Sequence, residues 1–327
     1  MSKVDIYEMA SSLEKKMLDN SSDIVFYQKH ETPSKDVNGM KMWSNIDGRI
    51  IPVSNTFASL ESGYYTFGYD NSIGTFLEKQ TIKTNKLYRL PNEATNILLN
   101  DIDKFWTLKD TYKKYNRVFR RNYLLYSAPG TGKTSVINLM CQDLIEKYNG
   151  IVITLRSLDD IYAFIAFGPK LQKIETDRKI ILIAEDIDNF IKENGNMFLN
   201  FLDGNYKFEN VVTIATTNYI ERLEARYTNR PTRFDRVIEF PLPNEESRRI
   251  FIEKSVLPED ISKIDIDKWV EKTKGYSIDH INELILLVLV FGHDESEAFE
   301  TMSKMVNENS KLKNSESIGS KTFGFGI

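Results

Sequence analysis

The segment Ser127–Thr134 reads Ser-Ala-Pro-Gly-Thr-Gly-Lys-Thr, and its residue types and spacing can bind phosphate groups. Gly130 and Gly132 let the backbone adopt conformations in which successive N–H groups point toward one anion. A helix predicted to begin at Lys133 adds the partial positive charge of its N-terminus. Such loops usually follow the pattern Gly, four residues, Gly-Lys-Ser/Thr, so Ser127 is the position that departs from it.

The residues at the end of this loop have separate tasks in phosphate chemistry. Lys133 can reach the β- and γ-phosphates of a nucleotide, and the Thr134 hydroxyl can hold Mg²⁺. A glycine-rich turn without a ligand is the alternative, but the strand–loop–helix context favours a phosphate loop. We therefore expect phosphate binding by Ala128, Pro129, Gly130, Thr131, Gly132, Lys133, Thr134 and Ser135.

Two carboxylates follow the apolar run 180–184. Ligands of open α/β sheets bind at the carboxyl ends of the strands, which is where we expect Glu185 and Asp186. One carboxylate can bind Mg²⁺ or its water while the other polarises the attacking water. We assign the metal to Glu185 and the water to Asp186. The reverse assignment stays open, and a solvated strand end is the alternative without chemistry.

A polar residue, Asn218, also ends the apolar run 211–215. We expect it beside the acidic strand end, where its amide can orient the water or sense the γ-phosphate. A strand-ending Asn is by itself usually a turn residue. The phosphate loop and the paired carboxylates upstream favour the sensing role.

Three arginines precede the last predicted strand, within the sequence Arg-Pro-Thr-Arg-Phe-Asp-Arg at 230–236. Arginine is always charged and offers a rigid fork suited to phosphate. An arginine supplied by a neighbouring subunit can stabilise the transition state of phosphoryl transfer. We expect this role for Arg233 first, Arg236 second and Arg230 third. The alternative is surface ion pairing with Glu221, Glu224 or Asp235.

Elements that position these residues alternate between apolar strands and helices, which is typical of an α/β parallel sheet covered on both faces. Strands are predicted at 123–126, 151–155, 180–184, 211–215 and 237–240. Helices are predicted at 4–19, 93–117, 133–148, 158–172, 193–203, 245–255, 265–273, 278–291 and 294–307. Short runs at 24–27, 49–53 and 64–69 read as antiparallel strands. The predicted domains are an N-terminal β-rich domain at 1–92, a nucleotide-binding domain at 93–241, a helical lid at 242–307 and a tail at 308–327.

Composition excludes several classes of protein. The chain has 327 residues, enough for one large and one smaller domain, and its net charge of −4 argues against binding polyanions by bulk electrostatics. Its single cysteine excludes a disulfide framework or a cysteine-rich zinc site. No apolar run reaches the ~18 residues that span a bilayer, and the N-terminus lacks a signal-peptide pattern. We expect a soluble cytoplasmic protein without a membrane partner.

Residues 95–292 resemble an AAA+ ATPase module of the AAA branch. The similarity lies in the phosphate loop 127–134 (Walker A), residues 181–186 (Walker B), residues 216–218 (sensor 1) and the arginine segment 230–236. The lid segment 275–279 is similar to the start of the sensor 2 helix, without its arginine, as is usual in this branch. The resemblance implies ATP hydrolysis with Mg²⁺ in a homo-oligomeric ring, usually a hexamer, with the nucleotide between neighbouring subunits.

A local resemblance is narrower. Residues 120–126 and the Glu185-Asp186 order are similar to the mitochondrial ATPases that translocate the folded Rieske protein, and to their bacterial and phage homologues. Many relatives also carry an aromatic pore loop where this chain has Phe167-Gly168. A Phe at helical spacing is more often a core residue, so both interpretations of Phe167 stay open.

These residues favour an ATP-driven machine that remodels a macromolecule, chiefly a protein selected by the N-terminal domain. A nucleic-acid-associated ATPase, similar to helicase loaders or clamp loaders, is the second hypothesis. The basic residues between 113 and 121 can serve it, but they equally suit a solvated helix face. A regulatory ring that binds ATP with little turnover is the third hypothesis.

Overall fold

The computed structural model describes residues 42–46, 49–53, 59–71, 74–81, 88–204, 206, 208–223 and 233–306. The helix predicted at 4–19, the strand predicted at 24–27, Arg230 and the tail 308–327 lie outside the described residues.

Strands of the described residues form a two-stranded antiparallel sheet, β1–β2, and a seven-stranded sheet. They are β1 (Met42–Ile46), β2 (Arg49–Val53), β3 (Gly63–Asp70), β4 (Gly74–Gln80), β5 (Arg120–Tyr126), β6 (Ile151–Thr154), β7 (Ile180–Ala184), β8 (Val211–Thr217) and β9 (Arg236–Glu239).

The seven-stranded sheet has the order β4-β3-β6-β7-β8-β5-β9. Strands β3, β6, β7 and β8 run parallel, with Gly63 paired to Ile151, Ile151 to Ile180, and Ile180 to Val211. Every residue of β7 and β8 is buried, as expected for strands covered on both faces. The predicted α/β fold is therefore confirmed, and the five strands predicted after residue 120 are all present.

The hairpin β3–β4 is an edge of this sheet. It is antiparallel internally, but β3 pairs in parallel with β6. Glu175 and Arg178 form a buried ion pair that anchors the start of the hairpin. The Leu60 N–H donates to Glu175 Oε1 at 2.7 Å, and Arg178 donates to the Leu60 carbonyl at 2.6 Å. Part of the predicted N-terminal domain thus extends the seven-stranded sheet, a pairing that local strand patterns do not encode.

Helices of the described residues cover the sheet or follow it in the chain. They are α1 (Glu93–Trp106), α2 (Lys109–Lys114), α3 (Lys133–Tyr148), α4 (Leu158–Ile174), α5 (Asp188–Leu202), α6 (Glu245–Ser255), α7 (Ile266–Lys272), α8 (Ile278–Ile285) and α9 (295–306). Short 3₁₀ turns occupy Ile220–Arg222 and Ile261–Lys263, and a π-helical turn, Leu286–Val290, continues α8.

Helix α4 runs without interruption through the segment considered for a pore loop. It begins at the N-cap Ser157, whose hydroxyl accepts the Asp160 N–H at 3.4 Å. Phe167 lies inside this helix, is 8% exposed and packs edge-on against Phe67 with ring centroids 5.8 Å apart. Phe167 is therefore a core residue.

Helix α5 is kinked at Asn194, whose backbone (φ −157°, ψ 83°) is not helical. Its Oδ1 accepts the Met197 N–H at 3.1 Å and so caps the second half of the helix. The helix predicted at 193–203 corresponds to that second half, and the first half begins at Asp188, directly after the acidic strand end.

The chain divides into two compact units. The first combines the described residues within 1–85, 101–125 and 139–238, and the second combines those within 86–100, 126–138 and 239–327. The core of the first unit is formed by buried residues of β3, β6, β7, α4 and α5. The core of the second surrounds Trp269, which is fully buried among helices α6 to α9. Within the described residues, no helix has the length and apolar character needed to cross a bilayer.

Candidate functional site

The phosphate loop connects β5 to α3, as predicted. Gly130 and Gly132 have positive φ values of 74° and 93°, which most residues adopt only with strain. Ser127, Thr131 and Lys133 are each at most 8% exposed. The loop is therefore a curled backbone stabilised by buried polar side chains, and helix α3 begins at Lys133.

A hydrogen-bond network joins the polar side chains inside this loop. The Lys133 ammonium donates to the Ser127 hydroxyl. The Ser127 and Thr131 hydroxyls lie 2.5 Å apart, and Thr131 Oγ1 donates to the Ala128 carbonyl at 3.2 Å. Thr134, which directly follows Lys133 and is expected to bind Mg²⁺, is exposed to solvent. The network contains Ser127, the residue that departs from the usual loop pattern.

The start of helix α8 contacts this loop. Asp279 N–H donates to the Gly130 carbonyl at 3.3 Å. A Cβ at Gly130 would lie 2.8 Å from both Ser277 Oγ and Asp279 Oδ2, so a side chain would not fit without movement. Gly130 is thus required by its backbone conformation and by its close approach to the lid helix.

Helix α8 begins with a capping box. Ser277 Oγ accepts the His280 N–H, and the Ser277 N–H donates to His280 Nδ1, each at 3.3 Å. Burial lowers the pKa of His280 below its ordinary 6.5, and the neighbouring Asp279 carboxylate opposes this shift. The lid segment that contacts Gly130 is therefore ordered by a neutral histidine.

Asp186 lies at the carboxyl end of β7 in the left-handed region, with φ 50°. Its N–H donates to Thr216 Oγ1 at 3.0 Å, and the next amide, of Ile187, donates to the Thr216 carbonyl at 2.9 Å. Two contacts from the neighbouring strand therefore support this uncommon conformation, which is often found at functional sites. Asp186 is exposed, and Glu185 before it is half-buried.

Asn218 contacts Asp186, at the strand end where the sequence places it. Its Nδ2 donates to Asp186 Oδ1 at 3.3 Å. The contact follows from the parallel pairing of β7 with β8, in which Ala184 lies opposite Ala215. Thr217 adds a second link, because its hydroxyl donates to Asp188 Oδ2 at 2.8 Å. Strand β8 thus orients both Asp186 and the first turn of α5.

The one cysteine lies behind the acidic strand end. Cys141 is fully buried, and burial, together with the charge of Glu185, raises the pKa of its thiol. A buried thiol with a raised pKa is a poor nucleophile. Cys141 is therefore a packing residue.

Arg233 forms an ion pair within the chain. Its Nε donates to Asp203 Oδ1 at 2.9 Å and its Nη2 to Asp203 Oδ2 at 3.0 Å. Its carbonyl accepts the Asn122 side-chain amide at 2.8 Å. Asp203, at the end of α5, is not among the acidic partners that the sequence suggested. Arg233 is 6% exposed.

The other arginines of this segment differ from Arg233. The side chain of Arg236 is 44% exposed, and its Nη1 lies 3.8 Å from Asp101 Oδ1, a weak surface pair. Arg230 lies outside the described residues. Asp203 and Asn122 were missed by sequence reasoning, because Asp-Gly after a helix reads as a turn signal and Asn122 lies inside an apolar strand.

The described residues offer few protein ligands for a divalent ion. Among the described residues, no group of three or more His, Cys, Asp and Glu side chains could hold a metal ion. The predicted pair, Thr134 and Glu185, offers a hydroxyl and a carboxylate. These ligand types suit Mg²⁺ bound to a nucleotide, because Mg²⁺ keeps several waters and usually takes one or two protein oxygens plus substrate phosphates.

Residues 123–242 match the sequence profile of the family described as "ATPase family associated with various cellular activities (AAA)". Over these residues the chain is similar to AAA ATPases. The matched segment includes the phosphate loop, the acidic strand end, Asn218 and Arg233.

Relatives of the AAA domain occur in plants, archaea and bacteria. The chain is 27% identical over 203 residues to Protein HYPER-SENSITIVITY-RELATED 4 of Arabidopsis thaliana, covering 52% of this chain and 34% of that protein. It is 28% identical over 178 residues to Proteasome-activating nucleotidase 1 of Haloferax volcanii, covering 47% and 43%. It is 27% identical over 221 residues to ATP-dependent zinc metalloprotease FtsH 2 of Salinibacter ruber, covering 60% and 32%. The matches thus span a third to less than half of these relatives' length.

Proposed function

We propose that this chain hydrolyses ATP with Mg²⁺ in a homo-oligomeric ring and uses the energy to remodel a protein substrate in the cytoplasm. One observation carries the proposal: the curled loop around Lys133 and the Asp186–Asn218 pair both lie within residues 123–242, the segment that matches the AAA family. A phosphate-binding loop and a water-orienting carboxylate are the two parts that phosphoryl transfer needs.

Phosphate binding is assigned to residues 128–135. The positive-φ glycines leave backbone N–H groups available as an anion nest, and Lys133 adds a full positive charge. The Thr134 hydroxyl and the Glu185 carboxylate would hold Mg²⁺, which neutralises charge on the phosphates when bound. Placing charged donors before the reaction begins lowers the cost of reorganisation in the transition state.

Activation of the attacking water is assigned to Asp186. The Thr216 contacts hold its backbone in place, and the Asn218 amide orients its carboxylate. A carboxylate held by a fixed amide can accept a proton from water without first reorienting. In a ring, Arg233 would leave Asp203 and stabilise charge on the transferring phosphate of the neighbouring subunit, with Arg236 second and Arg230 third.

A protein substrate is supported by the names of two relatives, a proteasome-activating nucleotidase and an ATP-dependent zinc metalloprotease. The local similarity of residues 120–126 to the Rieske-protein translocases supports the same class of substrate. A single buried cysteine suits a reducing compartment such as the cytoplasm.

The test compares wild type, Asp186→Asn and the control Asp177→Asn, which alters the exposed carboxylate that pairs with Lys109, before the start of β7. We expect wild type and the control to hydrolyse ATP at similar rates. Asp186→Asn should retain ATP binding and lose turnover by at least a hundredfold. An unchanged rate in Asp186→Asn would overturn its role. A wild type that binds ATP but does not hydrolyse it would favour the regulatory ring.

The ATP-loaded Asp186→Asn variant also tests assembly and substrate. Light scattering should show a ring-sized particle in ATP, and a monomer would contradict the proposed ring. A protein retained by the variant with ATP and released with ADP would support the substrate class. Salt-dependent stimulation of ATP turnover of the wild type by DNA would instead support the nucleic-acid hypothesis.

A further inference from the structure

We propose that the Ser127 hydroxyl positions the Lys133 ammonium for the β- and γ-phosphates. Ser127 is thus a positioning residue at the place where such loops usually have glycine. The inference rests on the proposed function, because it assigns to Lys133 the contact with the phosphates.

The first step is the placement of the hydroxyl. Ser127 is 7% exposed, and its Oγ accepts a hydrogen bond from the Lys133 ammonium. A hydroxyl has one proton and two lone pairs, so it can accept from Lys133 and still donate. That one proton can go to Thr131 Oγ1, 2.5 Å away, or to the Ala128 carbonyl, 2.7 Å away. One hydroxyl therefore joins three points of the loop.

The second step is the backbone. The residues of the loop with positive φ are Gly130 and Gly132, and Ser127 is not among the described residues in that region. The first position of this loop therefore does not need glycine for its conformation. A serine there introduces no backbone strain and adds a buried acceptor next to a buried cation.

The third step is the number of donors. An ammonium group has three N–H donors, so it can bond to Ser127 and to phosphate oxygens at the same time. Lysine is flexible, and a bond that restrains it before the nucleotide arrives reduces the freedom lost on binding. Hydrogen bonds to charged groups are stronger than those between neutral groups. Loss of the Ser127 hydroxyl should therefore weaken binding of nucleotides whose phosphates reach Lys133.

The experiment measures binding of ATP and AMP by calorimetry. It uses the Asp186→Asn background, so that ATP is not hydrolysed during the measurement. We expect Ser127→Ala to weaken ATP binding about tenfold. AMP lacks the β- and γ-phosphates and should bind with unchanged affinity. Ser157→Ala, which removes a helix-capping hydroxyl elsewhere, is the control, and its ATP-to-AMP affinity ratio should equal that of Asp186→Asn.

A double-mutant cycle with Lys133→Ala separates positioning from a structural role. If Ser127 acts through Lys133, Ser127→Ala should change ATP affinity less than twofold in the Lys133→Ala background. Equal losses in both backgrounds, or equal losses for ATP and AMP, would overturn the proposal. Tighter ATP binding by Ser127→Ala would also overturn it, because Ser127 would then compete with the phosphates. Where Lys133→Ala binds too weakly to measure, the ATP-to-AMP ratio decides. If the wild type binds ATP normally but does not hydrolyse it, the proposed function is wrong, whereas the result on Ser127 and Lys133 still stands.

Discussion

Asp203 holds the guanidinium of Arg233 in a two-bonded ion pair, with Oδ1 2.9 Å from Nε and Oδ2 3.0 Å from Nη2. The side chain of Arg233 is only 8% exposed. Forked pairs of this kind are strong and geometrically specific. The arginine proposed to serve a neighbouring subunit is therefore held within its own chain, and action in trans requires it to exchange Asp203 for phosphate.

Arg233→Ala should lower ATP turnover about a thousandfold while retaining ATP binding, because an arginine supplied in trans contributes mainly to the transition state. Mixing Arg233→Ala with Asp186→Asn should restore part of the activity. Some interfaces of a mixed ring then combine an intact Asp186 with an intact Arg233. Turnover is measured against the mixing ratio.

The two variants measured separately are the controls for this mixture. Activity of the mixture equal to the sum of the separate activities would show that Arg233 does not act across subunits.

Asp203→Ala should reduce the free energy of unfolding by about 3–5 kcal/mol, because it leaves a buried guanidinium without its carboxylate. Urea unfolding of the purified chain measures the change. Asp260→Ala is the matched control, since it removes the partner of the exposed Lys263 and should cost less than about 1 kcal/mol. Similar costs for the two variants would contradict a tight Arg233 pair.

Gly130→Ala should lower stability more than Gly132→Ala. Both positions have positive φ, which costs an ordinary residue about 1–2 kcal/mol. At Gly130 the added Cβ would also lie 2.8 Å from Ser277 Oγ and Asp279 Oδ2, whereas nothing lies within 4 Å at Gly132. Thermal unfolding without nucleotide isolates the extra steric cost.

Gly275→Ala controls for strain alone, because Gly275 has φ 86° and open space around its Cβ position. We expect it to match Gly132→Ala. If Gly130→Ala matches them both, the contact between the loop and the start of α8 is absent in solution.

Acidification should lower the folding stability of the chain, because His280 is then protonated. Burial holds the folded-state pKa of His280 below 6.5, so the folded chain binds this proton less readily than the unfolded chain. The stability contribution is therefore complete above pH 6.5 and is lost as the pH falls toward the folded-state value. His280→Gln keeps an N3 side chain that completes a capping box but does not titrate there.

Thermal unfolding of both proteins from pH 5 to 7.5 measures this effect. The wild type should lose more stability on acidification than His280→Gln, by up to about 1 kcal/mol, the usual value of a helix cap. Parallel curves would show that His280 does not carry the pH dependence.

Arg178→Ala should destabilise the chain by about 3–5 kcal/mol. The side chains of Arg178 and Glu175 are 5% and 11% exposed, and both bind the backbone of Leu60 at the start of the β3–β4 hairpin. Lys109→Ala, which breaks an exposed pair with Asp177, should change stability by less than about 1 kcal/mol. Hydrogen exchange of β3 amides should rise in Arg178→Ala alone. Unchanged exchange would contradict the anchoring.

Local patterns predicted much of this molecule correctly. The spacing of Gly130, Gly132 and Lys133 predicted a curled loop before a helix, because glycine conformations and helix N-termini depend on a few consecutive residues. Apolar runs predicted the strands of the parallel sheet, since burial on both faces needs unbroken apolar sequence. The strand end at Asn218 was likewise expected to meet the acidic strand end, and the contact with Asp186 is present.

By itself, the sequence determined the loop, the alternating strands and helices, and the carboxylates that end one strand. Tertiary structure decided which groups meet: Asp203 with Arg233, Asp279 with Gly130, and the β3–β4 hairpin with β6. The physical reason is the separation in sequence of the residues that make contact. Backbone conformation and amphipathic spacing are encoded within a few residues, whereas each of these contacts joins groups 30 or more positions apart. Such pairs are chosen by burial, charge and strand register, which exist only after the chain has folded.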